Sequence, residues 1–225
     1  VDISDIVSGA IELTKELGVN NLRSGQVSLS FDSRDNVFST TKGVYFYNSL
    51  QVFGGPFAGD RDFVKYFSRV SVFLPALEKS VVEVKLRGGY SDTFKDVDEK
   101  GIPIYEKFFA GGASTVRGYR ERKVGPIDTV TSDPIGGERM IIGNLEYTHS
   151  LIDFLKVAAF YDVGKVWGGE SSDATASGFK SSIGLGVRVK TPIGPISIDY
   201  GWPLDTEVGE TDKAGRFHFN VSRGF

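Results

Sequence analysis

The sequence predicts an all-β chain that folds as an antiparallel transmembrane β-barrel, preceded by one short N-terminal amphipathic helix. Three observations carry that reading. From residue 24 onward apolar and polar residues alternate with a period of two, as in strands with one greasy and one wet face. The connections between these stretches alternate short and long. Aromatic residues of the apolar parity gather at the strand ends.

Composition favours strands and turns over a helix bundle: the 225 residues include 28 glycines, and 12% are aromatic. No apolar run approaches the roughly 18 residues of a transmembrane helix. A barrel escapes that test, because each strand needs only about 9–11 residues and every second one can be polar. A formal net charge of −3 leaves no overall basic footprint, which argues against nucleic acid as a partner. The absence of cysteine removes disulfide frameworks and thiolate metal sites. The chain opens at Val1 without a basic stretch followed by an apolar one, as expected of a processed chain or a piece of a longer one.

Taking the elements in order, Ile6, Ala10, Leu13 and Leu17 recur at helical spacing, with Ser4 or Asp5 placed to cap the start and Gly18 to end the helix. Residues 1–23 are read as an extracellular loop and helix segment, and 24–225 as the barrel portion. Nine strands are expected, at 24–33, 43–53, 62–74, 81–91, 138–149, 154–167, 177–190, 195–203 and 215–225. The links at 75–80, 150–153 and 191–194 are short, whereas 54–61, 92–137, 168–176 and 204–214 are longer and rich in Gly, Asp, Glu and Ser. Only 34–42 departs modestly from the trend. Short periplasmic turns and long extracellular loops are the pattern of an outer-membrane barrel.

The faces follow from parity. Phe179, Ile183, Leu185, Val187 and Val189 share one side of their strand, and Lys180, Ser182, Gly184, Gly186, Arg188 and Lys190 the other. Ile196, Ile198, Tyr200 and Trp202 oppose Ser197, Asp199 and Gly201, while Val82, Val84, Leu86 and Tyr90 oppose Glu83, Lys85 and Arg87. Any one such strand suits a soluble sheet with its charged face in water. Nine of them need cover for a wide apolar face that one short helix does not supply, whereas lipid does. Tyr90, Trp167 and Trp202 lead into long loops, and Phe31, Phe46, Tyr147 and Phe225 lie near short connections, giving two aromatic girdles. The inward cations Lys65, Arg69, Lys85 and Arg87 suit either an anion-selecting pore or a wetted wall.

Within the long loop, Phe108-Phe109-Ala110-Gly111-Gly112-Ala113-Ser114-Thr115 leads into Val116-Arg117-Gly118-Tyr119. An arginine folded into a lumen loses hydration and needs carboxylates in bidentate reach on inward parity. Glu146 and Asp162 meet that requirement, on neighbouring strands. The pattern alone leaves a second reading open, in which Arg117 is an exposed loop cation and Asp162 an ordinary lumen charge.

The segment Val116-Arg117-Gly118-Tyr119 resembles the motif of the long sixth extracellular loop in the BamA-like family of outer-membrane barrels, part of the bacterial surface antigen superfamily. Phe160-Tyr161-Asp162-Val163-Gly164 is similar to that family's FxDxG strand. The hairpin from Leu185-Gly186-Val187 through Thr191-Pro192-Ile193-Gly194-Pro195 to Asp199-Tyr200 and Trp202-Pro203-Leu204 resembles the one that follows. The segment from Arg216 to Phe225 resembles the family's C-terminal recognition strand. Order and spacing agree from about 105 to 225.

The resemblance implies that this set is the C-terminal nine strands of an expected sixteen, an even total as in bacterial single-chain barrels. It implies that upstream strands and periplasmic repeats precede the chain, or that the chain is a reduced member. It also implies that Arg117 is held by Glu146 and Asp162, with Val116, Gly118, Tyr119, Phe160 and Gly164 completing a latch. The terminal strand, with Phe217, Phe219, Val221 and Phe225, would form one side of a lateral seam. Ser222 stands where many relatives carry a glycine thought to kink that strand.

The function implied is insertion and assembly of outer-membrane proteins, without enzymatic chemistry or a cofactor. The implied partners are outer-membrane lipid, unfolded outer-membrane protein clients and periplasmic assembly lipoproteins engaged through upstream repeats. Alternatives are a secretion transporter, a porin-like channel and, least favoured, a soluble β-barrel binding protein. Catalytic patterns are lacking: His149 and His218 sit on separate strands without ligand spacing, no serine lies in a GxSxG elbow, and Gly54-Gly55 lacks the following lysine of a phosphate cradle.

Overall fold

The computed structural model describes residues 2–3, 18–19, 21–94, 101–169, 174–175, 178–191, 194–205 and 214–221. Nine strands form one antiparallel sheet in which each pairs with the next in sequence. They are β1 (Ser24–Asp32), β2 (Gly43–Phe53), β3 (Phe63–Pro75), β4 (Ser80–Thr93), β5 (Arg139–Ile152), β6 (Leu155–Trp167), β7 (Lys180–Thr191), β8 (Gly194–Pro203) and β9 (Arg216–Val221). The nine expected strands are thus all present, with ends shifted by a few residues. β4 runs on to Thr93 at the base of the long loop, where the Ser91 N–H donates to the Glu138 carbonyl at 2.7 Å, and β5 runs on to Ile152 at its tight turn to β6. The helix expected between residues 4 and 17, and the expected terminal-strand residues Ser222 and Phe225, lie outside the described residues. Near the former, Asp2–Ile3 pairs antiparallel with Gly18–Val19.

Register is what turns a two-residue period into a barrel wall, since a one-residue slip exchanges the faces of a strand. The β2–β3 pair runs unbroken from Gly43 opposite Phe73 to Phe53 opposite Phe63, and β5–β6 carries a single bulge near its tight turn. The faces are inverted relative to a water-soluble sheet. Asp162 and Ser182 are 0% exposed on the inner face, while Leu185 at 58% and Leu86 at 56% stand on the outer one. Lipid contact gives the outer side chains the apolar surroundings that an interior core gives elsewhere. Tyr90 and Trp202 remain exposed at the long-loop rim and Phe31 at the other. The Lys165 ammonium lies 5.7 Å from the Trp167 ring and 5.8 Å from that of Phe179, an amphipathic cation at an interfacial girdle.

The connections sort by rim. The β1–β2, β3–β4, β5–β6 and β7–β8 connections leave from one rim of the antiparallel sheet, and the β2–β3, β4–β5, β6–β7 and β8–β9 connections from the other. The 33–42 turn folds inward, so that Lys156 Nζ of β6 donates to Ser39 Oγ at 2.9 Å. The Arg34 and Arg69 guanidinium groups both stack on Tyr45, at 4.8 and 4.7 Å. Inside the turn, the Asp35 carboxylate accepts the Thr41 hydroxyl and the backbone N–H groups of Asn36, Thr41 and Lys42. Those donors, the Thr41 hydroxyl foremost, hold Asp35 far below the usual carboxylate range.

On the opposite rim the long loop enters the lumen and forms the apolar core there. Phe108, Ala110, Val116, Tyr119 and Val124 of the loop pack with Met140 and Ile142 of β5 and Val166 of β6. A second cluster joins Phe53 and Phe63, stacked at 4.1 Å, to Ile102 and Leu22. Ile127–Asp128 pairs with Ala174–Thr175, tying the long loop to its neighbour. Among the described residues no helix is long and apolar enough to cross a membrane, which says nothing of a barrel.

Candidate functional site

Glycine lets the loop reach the wall. Gly111, Gly112 and Gly118 take φ values of 105°, 92° and 92°, a region that side chains bearing Cβ seldom enter. Thr115 closes the approach: its Oγ1 donates to the Gly111 carbonyl at 2.8 Å and accepts the Gly111 N–H at 2.7 Å. Val116, fully buried, then seats against Gly164, where an added Cβ would lie 2.9 Å from Val116 Cγ2.

Arg117 is 7% exposed and surrounded by acceptors. Its Nε and Nη2 donate to Asp162 Oδ2 and Oδ1 at 2.8 and 2.9 Å, and its backbone N–H adds a third bond to Oδ2 at 3.0 Å. Nη1 donates to Glu146 Oε2 at 2.7 Å and lies 3.4 Å from Asp199 Oδ2. The Phe160 ring lies under the guanidinium, 3.4 Å from Cζ to its centroid. Bidentate pairing plus a π face satisfies a planar cation on its edge and its flat side, which an ammonium does not match.

A second arginine completes the network. Arg188 of β7 donates from Nε and Nη2 to Glu146 at 3.1 and 2.7 Å, and from Nη1 to Asp199 Oδ1 at 2.6 Å. Asn144 of β5 donates to Asp162 Oδ1 at 2.8 Å and to the Thr115 carbonyl at 2.7 Å, and accepts from Arg87 at 2.8 Å. Three carboxylates on β5, β6 and β8 thus share two arginines, the mutual satisfaction that buried charges require.

The remaining motif residues reach the last strands. The Gly118 N–H donates to His218 Nε2 of β9 at 2.8 Å. The Tyr119 hydroxyl sits 2.7 Å from the Asp205 carbonyl and 3.0 Å from that of Ser181. Gly118 packs on Gly201 of β8, where an added Cβ would lie 2.7 Å from the Gly118 nitrogen.

The geometry brings Val116, Arg117, Gly118, Tyr119, Glu146, Phe160, Asp162 and Gly164 into one cluster. Phe217, Phe219 and Val221 point outward on β9, away from it. Gly184 and Gly186 make room within the wall itself. A Cβ at Gly184 would meet the Phe160 ring at 2.2 Å, and one at Gly186 would meet Asp199 Oδ1, so they clear space for the cluster's wall residues while Gly201 receives the loop. Lys65 is no free wall cation, because it donates to Glu106 of the long loop at 2.9 Å. Sequence reading missed Arg188, Asp199, Asn144 and His218 as members. Their inward parity was visible, but nothing in it said how far each side chain leans. Among the described residues no group of His, Cys, Asp and Glu is arranged to hold a metal.

A family model described as the Omp85 superfamily domain matches residues 3–225. Outer membrane protein assembly factor BamA of Nitratidesulfovibrio vulgaris is 30% identical over 227 residues, covering 100% of this chain and 28% of the relative. BamA of Neorickettsia risticii is 27% identical over 226 residues, covering 96% of the chain and 29% of the relative. The chain therefore spans less than a third of the length of these curated relatives. Among solved structures, BamA from Haemophilus ducreyi lacking POTRA domains 1–3 superposes with a TM-score of 0.73 at 21% identity, over 87% of this chain and 41% of that one. That likeness shows a shared barrel fold. Because the family model runs through all nine strands and the loop docked among them, the chain belongs to the Omp85 superfamily.

Proposed function

We propose that this chain is the C-terminal barrel portion of an outer-membrane protein assembly factor, which inserts unfolded outer-membrane proteins into the lipid bilayer without enzymatic chemistry. The observation that carries this reading is the docking of one loop arginine to carboxylates on β5, β6 and β8, with the adjacent glycine bonded to β9. In this reading Arg117, Glu146 and Asp162 act as a latch that keeps the loop inside and the last strands in working register. β9 is then one side of a seam at which a client strand pairs, since an unpaired strand edge presents N–H and C=O groups that template another strand. Strands and periplasmic repeats encoded upstream would supply the other side of the seam and the contacts with assembly lipoproteins.

The test uses the full-length protein that contains this segment, reconstituted in liposomes with an unfolded outer-membrane client. Protease-protected, heat-resistant client is the expected product, and Arg117→Glu should abolish most of it. Steady ion conductance with no client insertion would instead indicate a porin, and export of one dedicated passenger a secretion transporter.

A further inference from the structure

We infer that His218 is a positioning residue that couples the docked loop to the terminal strand, and that it does so only as a neutral imidazole. The inference rests on the assembly reading above, in which β9 borders the seam.

The bond itself sets the protonation state. Gly118 N–H points at His218 Nε2 across 2.8 Å, so Nε2 must present its lone pair and the ring proton must sit on Nδ1. Gly118 is buried, takes φ +92° and is pressed against Gly201, so its N–H has no freedom to turn to another acceptor. A protonated ring places a second N–H against the first and the contact opens. The Arg117 network reaches β8, Tyr119 reaches the β7 start and residue 205, and the Gly118–His218 bond reaches β9. His218 therefore transmits the docking of the loop to the strand beyond β8.

The charged and titratable groups around the ring come from each neighbouring element. Asp199 of β8 lies opposite it in register and is bonded to Arg188 and Arg117 rather than to the ring. Arg117, Tyr119, Arg120 and Glu121 approach from the loop, Arg216 from β9 itself and Asp162 from β6.

The experiment measures amide-exchange protection of residues 217–220, corrected for intrinsic exchange, in the full-length protein in nanodiscs between pH 5 and 8. In the wild type, protection should fall by about tenfold on acidification, the loss of one hydrogen bond of ordinary strength. His218→Gln, whose side-chain carbonyl accepts the same N–H without titrating, should keep protection at every pH. His218→Phe should lack it at every pH. A pH dependence in His218→Gln equal to the wild type, or wild-type protection in His218→Phe, overturns the inference. Client insertion is read in parallel. Protection that moves as expected while insertion is unchanged in every variant leaves the coupling standing and removes the assembly reading.

Discussion

Arg117 and Asp162 are joined by three hydrogen bonds, two from the guanidinium and one from the backbone N–H, at 2.8, 2.9 and 3.0 Å. With Asn144 as a fourth donor, Asp162 has its acceptor capacity filled although it is fully buried. Asp162→Ala leaves a buried cation with only part of its partners, a loss of about 3–5 kcal/mol. The folded barrel should convert to its unfolded gel form at clearly lower temperature, and an unchanged transition would deny the pair its weight.

Arg188 binds Glu146 and Asp199, two of the three carboxylates around Arg117, from the other side, so its effect should depend on theirs. In a cycle of Arg188→Gln and Glu146→Gln, measured by urea unfolding in detergent, the coupling should be about 0.5–3 kcal/mol in the stabilising direction. Strict additivity would mean that the two side chains meet without interacting.

Gly201 tests the backbone contact. A methyl group there meets the Gly118 nitrogen at 2.7 Å and the Arg117 carbonyl carbon at 2.9 Å, whereas at Gly88 it meets nothing within 4 Å. Gly201→Ala should raise the labelling rate of a cysteine placed at Ala113 by an impermeant maleimide several-fold, and Gly88→Ala should not. Equal rates in the two variants would show that the loop does not rest on β8.

Asp35 supplies a pH prediction on the short-turn rim. Its folded pKa is depressed, so its contribution is present above the usual carboxylate value of about 3.9 and is lost as pH falls through the lower folded value. Protection of the Thr41 and Lys42 amides should hold from neutral pH to about pH 4 and fall only in stronger acid. Asp35→Asn should lower it throughout. Loss of protection between pH 7 and 5 in the wild type would contradict this assignment.

The barrel was legible because a period of two runs along the strands, broken at the β5–β6 bulge, and Leu185 against Gly184 or Ile198 against Asp199 states a face without knowledge of any partner. Arg117 with Glu146 and Asp162 was legible as far as parity and motif reach. The second clamp was not. Arg188 and Asp199 stand on inward parity like Lys190 and Ser197, and what lets Arg188 reach both Asp199 and Glu146 is the space left by Gly186 and the lean of long side chains across strands. His218 reads in sequence as an isolated strand histidine. Its partner is a backbone N–H one hundred residues away in sequence, which no side-chain pattern announces.

The central claim is that the Arg117 loop lies docked against the inner wall. The chain contains no cysteine, so a pair can be introduced without background. A Cβ at position 164 lies 2.9 Å from Val116 Cγ2, within reach of disulfide geometry. Val116→Cys with Gly164→Cys in the full-length protein, oxidised in native membranes, should give a reducible shift in electrophoretic mobility for most of the molecules. No cross-link, with the cysteine at position 116 labelled freely by an impermeant maleimide from outside, would place the loop in solvent and contradict the account.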